Sequence, residues 1–224
     1  MLTLVFGGTF DPIHHGHVAL ADFAAQALRA EVWLLPAADP PHRAPPGASA
    51  EDRAAMVALA IAGHSRLRLD RRELERPGPS YMVDTLESIR REIGPAMPLA
   101  LLLGADAFRG LHTWMLWREL FTLAHLVLLP RAGTSLHSLP AELHGACEGR
   151  WLDHADDLHS LPAGGLHVLA LPELRTESAT ELRRRLREGG DWRALVPEPV
   201  AEYIAAHGLY REQRYTGGHS PEGR

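Results

Sequence analysis

The sequence contains no lysine, and all 23 of its basic side chains are arginine. A Walker A phosphate-binding loop needs a lysine, so that loop is excluded, as is catalysis through a covalent lysyl–nucleotide adduct. Cys147 is the single cysteine among the 224 residues. An internal disulfide and a metal site built of several thiolates are therefore excluded as well. Cys147 falls in a polar stretch that we expect to be a loop, and we assign it no function.

Long apolar runs and an excess of positive charge are also missing. No apolar stretch approaches the roughly 20 residues of a membrane span, and the N-terminus enters a strand pattern without the basic segment and cleavage site of a signal peptide. The net charge of -5 argues against broad binding to nucleic acid, which depends on a basic surface. We therefore expect a cytoplasmic protein with no membrane or nucleic-acid partner.

Short apolar runs alternate with helical patterns along the chain. Strands are predicted at 2–6, 31–35, 67–69, 99–103, 126–129 and 166–171, and helices at 18–29, 50–63, 81–93, 114–122, 179–187 and 198–207. This alternation predicts the α/β class with a doubly wound parallel sheet. We expect one domain over residues 1–210 and a solvated, disordered tail over 211–224. Residues 131–165 show no clear periodicity, and 73–79 reads as a loop.

The end of the first strand carries the densest set of candidate functional residues. The string GGTFDPIHHGH, residues 7–17, leads from this strand into a helix. Glycines without a Cβ let the main chain approach a ligand closely, and a helix start presents backbone N–H groups to a phosphate. Because His14 and His17 are three residues apart, they share one face there and add two imidazole donors.

Two other interpretations of this string are open on the residues alone. The glycines could form a turn that feeds a core helix, with histidines that are merely polar surface. A zinc site from His14, His15 and His17 is the second alternative. Zinc sites need three or four convergent ligands, whereas adjacent histidines point apart.

The string GGTFDPIHHGH resembles the signature of the HxGH nucleotidyltransferases, which transfer a nucleoside monophosphate from a triphosphate. The resemblance implies a Rossmann-like nucleotidyltransferase fold and makes His14 and His17 catalytic. It also implies an ATP site that includes Gly7, Gly8, Thr9, Phe10, His14 and His17.

Two later segments resemble one branch of that group, the nicotinate mononucleotide adenylyltransferases. Residues 40–43, PPHR, are similar to the PPHK loop of this branch, with Arg43 where lysine is usual. Arginine keeps the positive charge and adds forked donors. The resemblance implies that His42 and Arg43 contact the substrate. Without it, the segment would be a rigid proline-rich connector.

Residues 80–86, SYMVDTL, resemble the SYTxDTL segment of the same branch. Ser80 is a plausible N-cap for the helix that follows. The resemblance implies that the Thr85 hydroxyl contacts the pyridine carboxylate of the mononucleotide. It places no aspartate or glutamate there to accept from a carboxamide.

Asp106 follows the central predicted strand, where a carboxylate can face a ribose or a metal-bound phosphate. Alternatively, it only caps a helix. Trp114 occupies the position at which the branch keeps a tryptophan that stacks on the nicotinate ring, an interaction that suits an electron-poor ring. The resemblance thus implies that Asp106 contacts both ATP and the mononucleotide. Trp114 and the backbone N–H groups around it and Met115 would contact the mononucleotide.

Residues 177–183, ESATELR, follow the sixth predicted strand and resemble the ISSTxIR motif. Three positions depart from the motif, while Thr180 and Arg183 stay in register. Hydroxyls at a helix start can donate to a triphosphate, and arginine can clamp its outer phosphates. The resemblance therefore implies that Ser178, Thr180 and Arg183 bind ATP, with Arg183 also catalytic.

These segments occur in the order of the nicotinate mononucleotide adenylyltransferases of NAD biosynthesis. The resemblance implies direct attack of the mononucleotide phosphate on the α-phosphorus of ATP, with Mg²⁺ bound mainly through the ATP phosphates and no metal site of the protein's own. A homo-oligomer is compatible with this interpretation. Two alternatives stay open: a relative with another acceptor (nicotinamide mononucleotide, phosphopantetheine or a cytidylyl substrate) and a nucleotide-binding regulator without catalysis.

Overall fold

The structure is a computed structural model that describes residues 1–38, 47–130, 139–171 and 178–210. Its described residues form one sheet of six strands, ordered β3-β2-β1-β4-β5-β6, and every neighbouring pair is parallel. The strands are β1 (Leu2–Gly8), β2 (Ala30–Pro36), β3 (Leu67–Leu69), β4 (Leu99–Gly104), β5 (His125–Leu129) and β6 (Leu166–Val168). The predicted doubly wound parallel sheet is confirmed. The strand order reverses between β1 and β4, the position at which such sheets bind ligands.

Helices cover both faces of the sheet. They are α1 (His15–Ala27), α2 (Ala50–Ile61), α3 (Arg72–Glu75), α4 (Met82–Ile93), α5 (Ala105–Arg109), α6 (Leu120–Leu123), α7 (Ala141–Cys147), α8 (Ala179–Glu188) and α9 (Glu198–Ala206). Short 3₁₀ turns lie at Leu111–Thr113, Trp117–Glu119, Ala155–His159 and Arg193–Leu195. None of the helices within the described ranges has the length and apolarity of a membrane-spanning segment.

The core has two halves, one on each face of the sheet. Successive side chains of β1 point to opposite faces, so Leu4 and Phe6 pack with one half and Val5 packs with the other. The first half is closed by α1, α2, α8 and α9, and the second by α4, α5 and α6. Because both faces are covered, the strands are almost continuously apolar. These short apolar runs are what predicted the strands from the sequence.

The segment before α4 differs from its prediction. Helix α4 begins at Met82 after Tyr81, so Ser80 is not its N-cap. The Ser80 hydroxyl instead donates to the backbone carbonyl of Glu73 at 3.5 Å. Glu73 lies in the short helix α3, within residues that the sequence had indicated to be a loop. These two local differences bring Glu73 toward the start of α4.

The prediction of a helix at 114–122 is also wrong for residues 114–116. Trp114 has an extended backbone, with φ -80° and ψ 151°, and Leu116 is left-handed with φ +48°. A helix cannot pass through a left-handed residue, so helical structure resumes only after it. The sixth strand is likewise shorter than predicted and stops at Val168.

Cys147 is the last residue of α7 rather than part of a polar loop. It is buried in the second half of the core, where burial raises the pKa of its thiol to about 11. A thiol of this kind is a small apolar side chain and a poor nucleophile at neutral pH.

Candidate active site

The first loop at the carboxyl end of β1 is compact. Gly8 lies against the ring of Phe10, and a Cβ at Gly8 would be 3.0 Å from Cζ of that ring. Phe10 itself is buried and left-handed, with φ +48°. The carbonyl of Gly8 accepts from the N–H of Ala37 at 2.9 Å, so the loop is tied to the residues that follow β2. A side chain at Gly8 would therefore require the Phe10 ring to shift by a few tenths of an ångström.

His14 and His17 share a face at the start of α1, as their spacing indicates. His14 is the N-cap, and its Nδ1 accepts from the backbone N–H of His17 at 3.3 Å. The two rings are stacked, with centroids 3.7 Å apart and planes 22° apart. Phe10 meets the His17 ring edge-on at 5.1 Å. Both imidazoles are therefore held rigidly beside the helix N-terminus.

The environment of His17 disfavours its charged form. Burial, and secondarily the neighbouring His14, lower the pKa of His17 to about 3, so the ring is neutral at neutral pH. Its Nδ1 is buried and has no hydrogen-bond partner among the described residues. Since buried polar atoms are normally paired, this nitrogen makes His17 a candidate for contact with a ligand.

Arg53, in α2, is a buried cation that sequence analysis missed. Its side chain is fully buried, and Nη1 donates to the carbonyls of Thr9 at 2.8 Å and Ala37 at 2.7 Å. Nη2 donates to the carbonyl of Ala38 at 3.3 Å. One guanidinium thus joins the loops after β1 and β2. The available signal was its spacing: Arg53 precedes the apolar Met56 and Val57 by three and four residues, on the buried face of α2.

Asp11 is a second residue whose role the sequence did not indicate, although it lies within GGTFDPIHHGH. Its buried carboxylate accepts from the backbone N–H of Gly47 at 2.8 Å, from that of Ala48 at 3.1 Å and from the Tyr210 hydroxyl at 2.8 Å. Arg183 donates from Nη1 to the carbonyl of Asp11, and this Nη1 lies 3.5 Å from Oδ2. Arg183 is therefore brought to the first loop, 172 residues away in sequence.

The other candidate residues of the α8 region lie at its start. Ser178 is the N-cap, and its hydroxyl accepts from the N–H of Glu181 at 3.2 Å. Ser178 and Thr180 are both exposed. Their hydroxyls are thus accessible on the same helix that supplies Arg183.

Thr85 lies in a different environment from the one expected. Its side chain is fully buried, and the hydroxyl donates to Oε1 of Glu73 at 2.9 Å while accepting from Nη1 of Arg76 at 3.1 Å. Burial raises the pKa of Glu73, although Thr85 and Arg76 oppose the shift. The hydroxyl hydrogen is thus engaged inside the protein. The sequence had placed no carboxylate beside Thr85, because Glu73 fell in an apparent loop.

Asp106, Trp114 and Met115 follow β4 along the chain. Asp106 is exposed in the first turn of α5, and Gly104 rather than Asp106 is the N-cap. Trp114 is half-buried against the second half of the core, and its backbone N–H donates to the carbonyl of Leu111 at 2.9 Å. This backbone N–H is therefore already engaged, whereas we expected it to be available to the mononucleotide. The side chain of Met115 is half exposed.

The remaining candidates are His42 and Arg43, which lie outside the described residues. Across the ranges that the structure does describe, no three His, Cys, Asp or Glu side chains converge as a metal site.

The neutral His17 predicts a pH dependence of stability. Because its pKa is lower in the folded protein, the unfolded chain binds more protons between about pH 6.5 and pH 3, and the free energy of unfolding falls as pH decreases through this window. This residue contributes a slope of at most about 1.4 kcal/mol per pH unit. Urea denaturation at pH 7 and pH 5 should show a smaller decrease for His17→Asn than for the wild type. The exposed-histidine variant His144→Asn should match the wild type, and an unchanged decrease in His17→Asn would contradict this assignment.

The three carbonyls held by Arg53 predict a large stability cost for its removal. Arg53→Met keeps much of the apolar stem but leaves the carbonyls of Thr9, Ala37 and Ala38 without this donor, so we expect a loss of about 3 kcal/mol or more in the free energy of unfolding. Arg71→Met is the control, since Arg71 pairs with Glu51 at the surface and should cost less than about 1 kcal/mol. Equal midpoints of urea denaturation for the two variants would show that Arg53 does not hold the loops together.

Comparison with known proteins identifies the family of this chain. Residues 5–185 match the model of the Cytidylyltransferase-like family. A Probable nicotinate-nucleotide adenylyltransferase of Stenotrophomonas maltophilia (strain K279a) is 52% identical over 216 residues, covering 94% of this chain and 97% of that protein. A protein of the same name from Dechloromonas aromatica (strain RCB) is 44% identical, covering 92% and 96%.

The fold also matches a solved structure. That of Plasmodium falciparum nicotinic acid mononucleotide adenylyltransferase complexed with NaAD covers 93% of this chain and 97% of its own, with a TM-score of 0.69 and 16% identity. At this identity the likeness shows a common fold. The family model and the identity to the bacterial proteins show more: the chain belongs to the cytidylyltransferase-like family and, within it, to the nicotinate-nucleotide adenylyltransferases.

Proposed function

We propose that this protein joins ATP and nicotinate mononucleotide to give nicotinate adenine dinucleotide and pyrophosphate, a step of NAD biosynthesis. The observation that carries the proposal is the arrangement after β1. A compact glycine loop, a stacked histidine pair and Arg183 lie together at the sheet edge where ligands bind. The relatives that are 52% and 44% identical bear the corresponding name.

The proposed chemistry is direct attack of the mononucleotide phosphate on the α-phosphorus of ATP. No side chain has to act as a nucleophile, so catalysis depends on positioning and on stabilising charge in the transition state. His14, His17, Arg183 and the backbone of residues 7–10 are the proposed donors. A bound triphosphate would raise the pKa of His17, because a nearby negative charge favours the imidazolium. The protonated ring would then be a charged donor to the phosphates.

We infer that Mg²⁺ enters with ATP, bound mainly through the phosphates. When bound, it neutralises part of the negative charge of the triphosphate. Magnesium keeps several waters and often uses only one or two carboxylates of a protein. The exposed Asp106 after β4 fits such a role, and the same side chain is our candidate for a ribose contact. Ser178 and Thr180 at the start of α8 are the proposed hydroxyl donors to the phosphates.

For the mononucleotide, we propose that Trp114 stacks on the pyridine ring with Met115 beside it, and that His42 and Arg43 contact the phosphate or ribose. We propose that the carboxylate on the pyridine ring lies near Thr85. Since the Thr85 hydroxyl hydrogen already bonds to Glu73, the positive charge near this position comes from Arg76, whose Nη1 lies 3.1 Å from Oγ1 of Thr85. We therefore propose that Arg76 contributes to recognition of the carboxylate.

This arrangement predicts a preference for nicotinate over nicotinamide mononucleotide. The carboxamide lacks the negative charge that the Arg76 guanidinium would pair, and it offers this cation only a neutral oxygen. A site that is built to pair a polar group discriminates strongly against an analogue that cannot pair with it. We expect at least about a 100-fold difference in kcat/KM, which corresponds to roughly 3 kcal/mol. Initial rates of dinucleotide formation from each mononucleotide, with saturating ATP and Mg²⁺, measure it.

Variants and further acceptors separate the remaining possibilities. Arg76→Gln should reduce the preference, whereas Arg66→Gln, which changes an arginine bonded to the carbonyl of Ala25, should leave it unchanged. Comparable efficiencies with the two mononucleotides in the wild type would contradict acid specificity. Transfer to phosphopantetheine or a cytidylyl substrate instead would indicate another acceptor, and nucleotide binding without pyrophosphate release would indicate a regulator.

A further inference from the structure

Tyr210, the residue that ends the last described range, folds back onto the first loop. It follows α9, and its ring packs so closely over Gly47 that a Cβ there would lie 2.8 Å from Cδ1 of the ring. Its hydroxyl donates to Oδ1 of Asp11 at 2.8 Å. The lead into α2, the loop after β1 and the chain beyond α9 therefore meet at a single carboxylate.

The Tyr210 hydroxyl remains a donor at any working pH. Burial, and secondarily the charge of Asp11, raise the pKa of Tyr210 far above its usual range. Three groups donate to the carboxylate: the Tyr210 hydroxyl, the backbone N–H of Gly47 and the backbone N–H of Ala48. A buried carboxylate that is satisfied in this way has little need of a further partner.

Arg183 is the cation beside this cluster, and its contact with the carboxylate is loose. Its Nη1 donates to the backbone carbonyl of Asp11 but lies 3.5 Å from Oδ2, longer than a charge-assisted hydrogen bond. The side chain is partly exposed, at 29%. Both contacts with Asp11 are made by Nη1, so Nε and Nη2 are not engaged by this residue.

We propose that Tyr210 is a positioning residue for Arg183, because its hydroxyl occupies Asp11 and so keeps the guanidinium available to a triphosphate. Without the hydroxyl, Oδ1 keeps only the N–H of Ala48, so the carboxylate shifts toward Arg183 and pairs with it more closely, and the arginine is lost to ATP. The inference rests on the proposed function, in which Arg183 binds ATP phosphates. It adds that Tyr210, a residue beyond α9, increases the affinity of the site for ATP.

The test compares two tyrosines that each donate to an aspartate. Tyr210→Phe deletes the hydroxyl and keeps the ring over Gly47. Tyr203→Phe deletes a similar hydrogen bond, from Tyr203 to Asp52 at 3.0 Å between α9 and α2, and is the matched control. Steady-state rates give KM for each substrate, and calorimetric titration with ATP gives its Kd without turnover.

We expect Tyr210→Phe to raise KM and Kd for ATP by about tenfold, the equivalent of losing one charge-assisted hydrogen bond. KM for nicotinate mononucleotide should change less than twofold, and Tyr203→Phe should leave all three constants within twofold. Gly47→Ala, which pushes the ring away from Asp11 while keeping the hydroxyl, should also weaken ATP binding. Equal changes for both substrates, or no change in the Kd for ATP, would overturn the proposal.

A double-mutant cycle tests whether Tyr210 acts through Arg183. In an Arg183→Met background, Tyr210→Phe should no longer change the Kd for ATP, because the arginine that it positions is gone. An undiminished tenfold effect in that background would contradict the mechanism. If the wild type binds ATP but forms no dinucleotide, the proposed function fails while the titrations still decide the role of Tyr210.

Discussion

The buried carboxylate of Asp11 is the constraint on which the rest of the site depends. A charge at the end of β1, away from water, is tolerated only if donors surround it. Those donors come from the lead into α2 and from Tyr210, while Arg183 lies beside them. The first loop can therefore close only when segments from distant parts of the chain have assembled around it. The conformation of this loop is thus coupled to the folding of the rest of the domain.

The site combines charged side chains, among them the buried Asp11 and Arg53, with the uncharged imidazole of His17. Arg53 donates to carbonyls of the loops after β1 and β2, and Arg183 donates to the Asp11 carbonyl. His17 is neutral, with a buried nitrogen that lacks a partner in the described part of the chain. A phosphate anion would supply both the missing partner and the charge that favours the protonated ring. In the proposed function, negative charge beside His17 would be stabilised after ligand binding without a charged imidazole there beforehand.

Regular elements were predictable because periodicity and glycine placement are local properties. The strand, glycine turn and helix of residues 2–27 and the parallel sheet follow from them. Arg53 and Asp11 were not identified, because their importance lies in contacts with residues that are distant in sequence. The helix predicted through Trp114 failed at Leu116, whose left-handed backbone has no clear signal in a leucine. The engagement of Thr85 was hidden because Glu73 appeared to belong to a loop.

In the proposed reaction the adenylyl group passes directly from ATP to its acceptor, with positioned donors and without a nucleophile of the protein. Adenosine triphosphate made chiral at the α-phosphorus by a single sulfur tests this claim most directly, when the configuration of the dinucleotide product is determined. A single in-line displacement predicts inversion at phosphorus. Retention would require two displacements and a covalent intermediate on the protein, and would contradict the account.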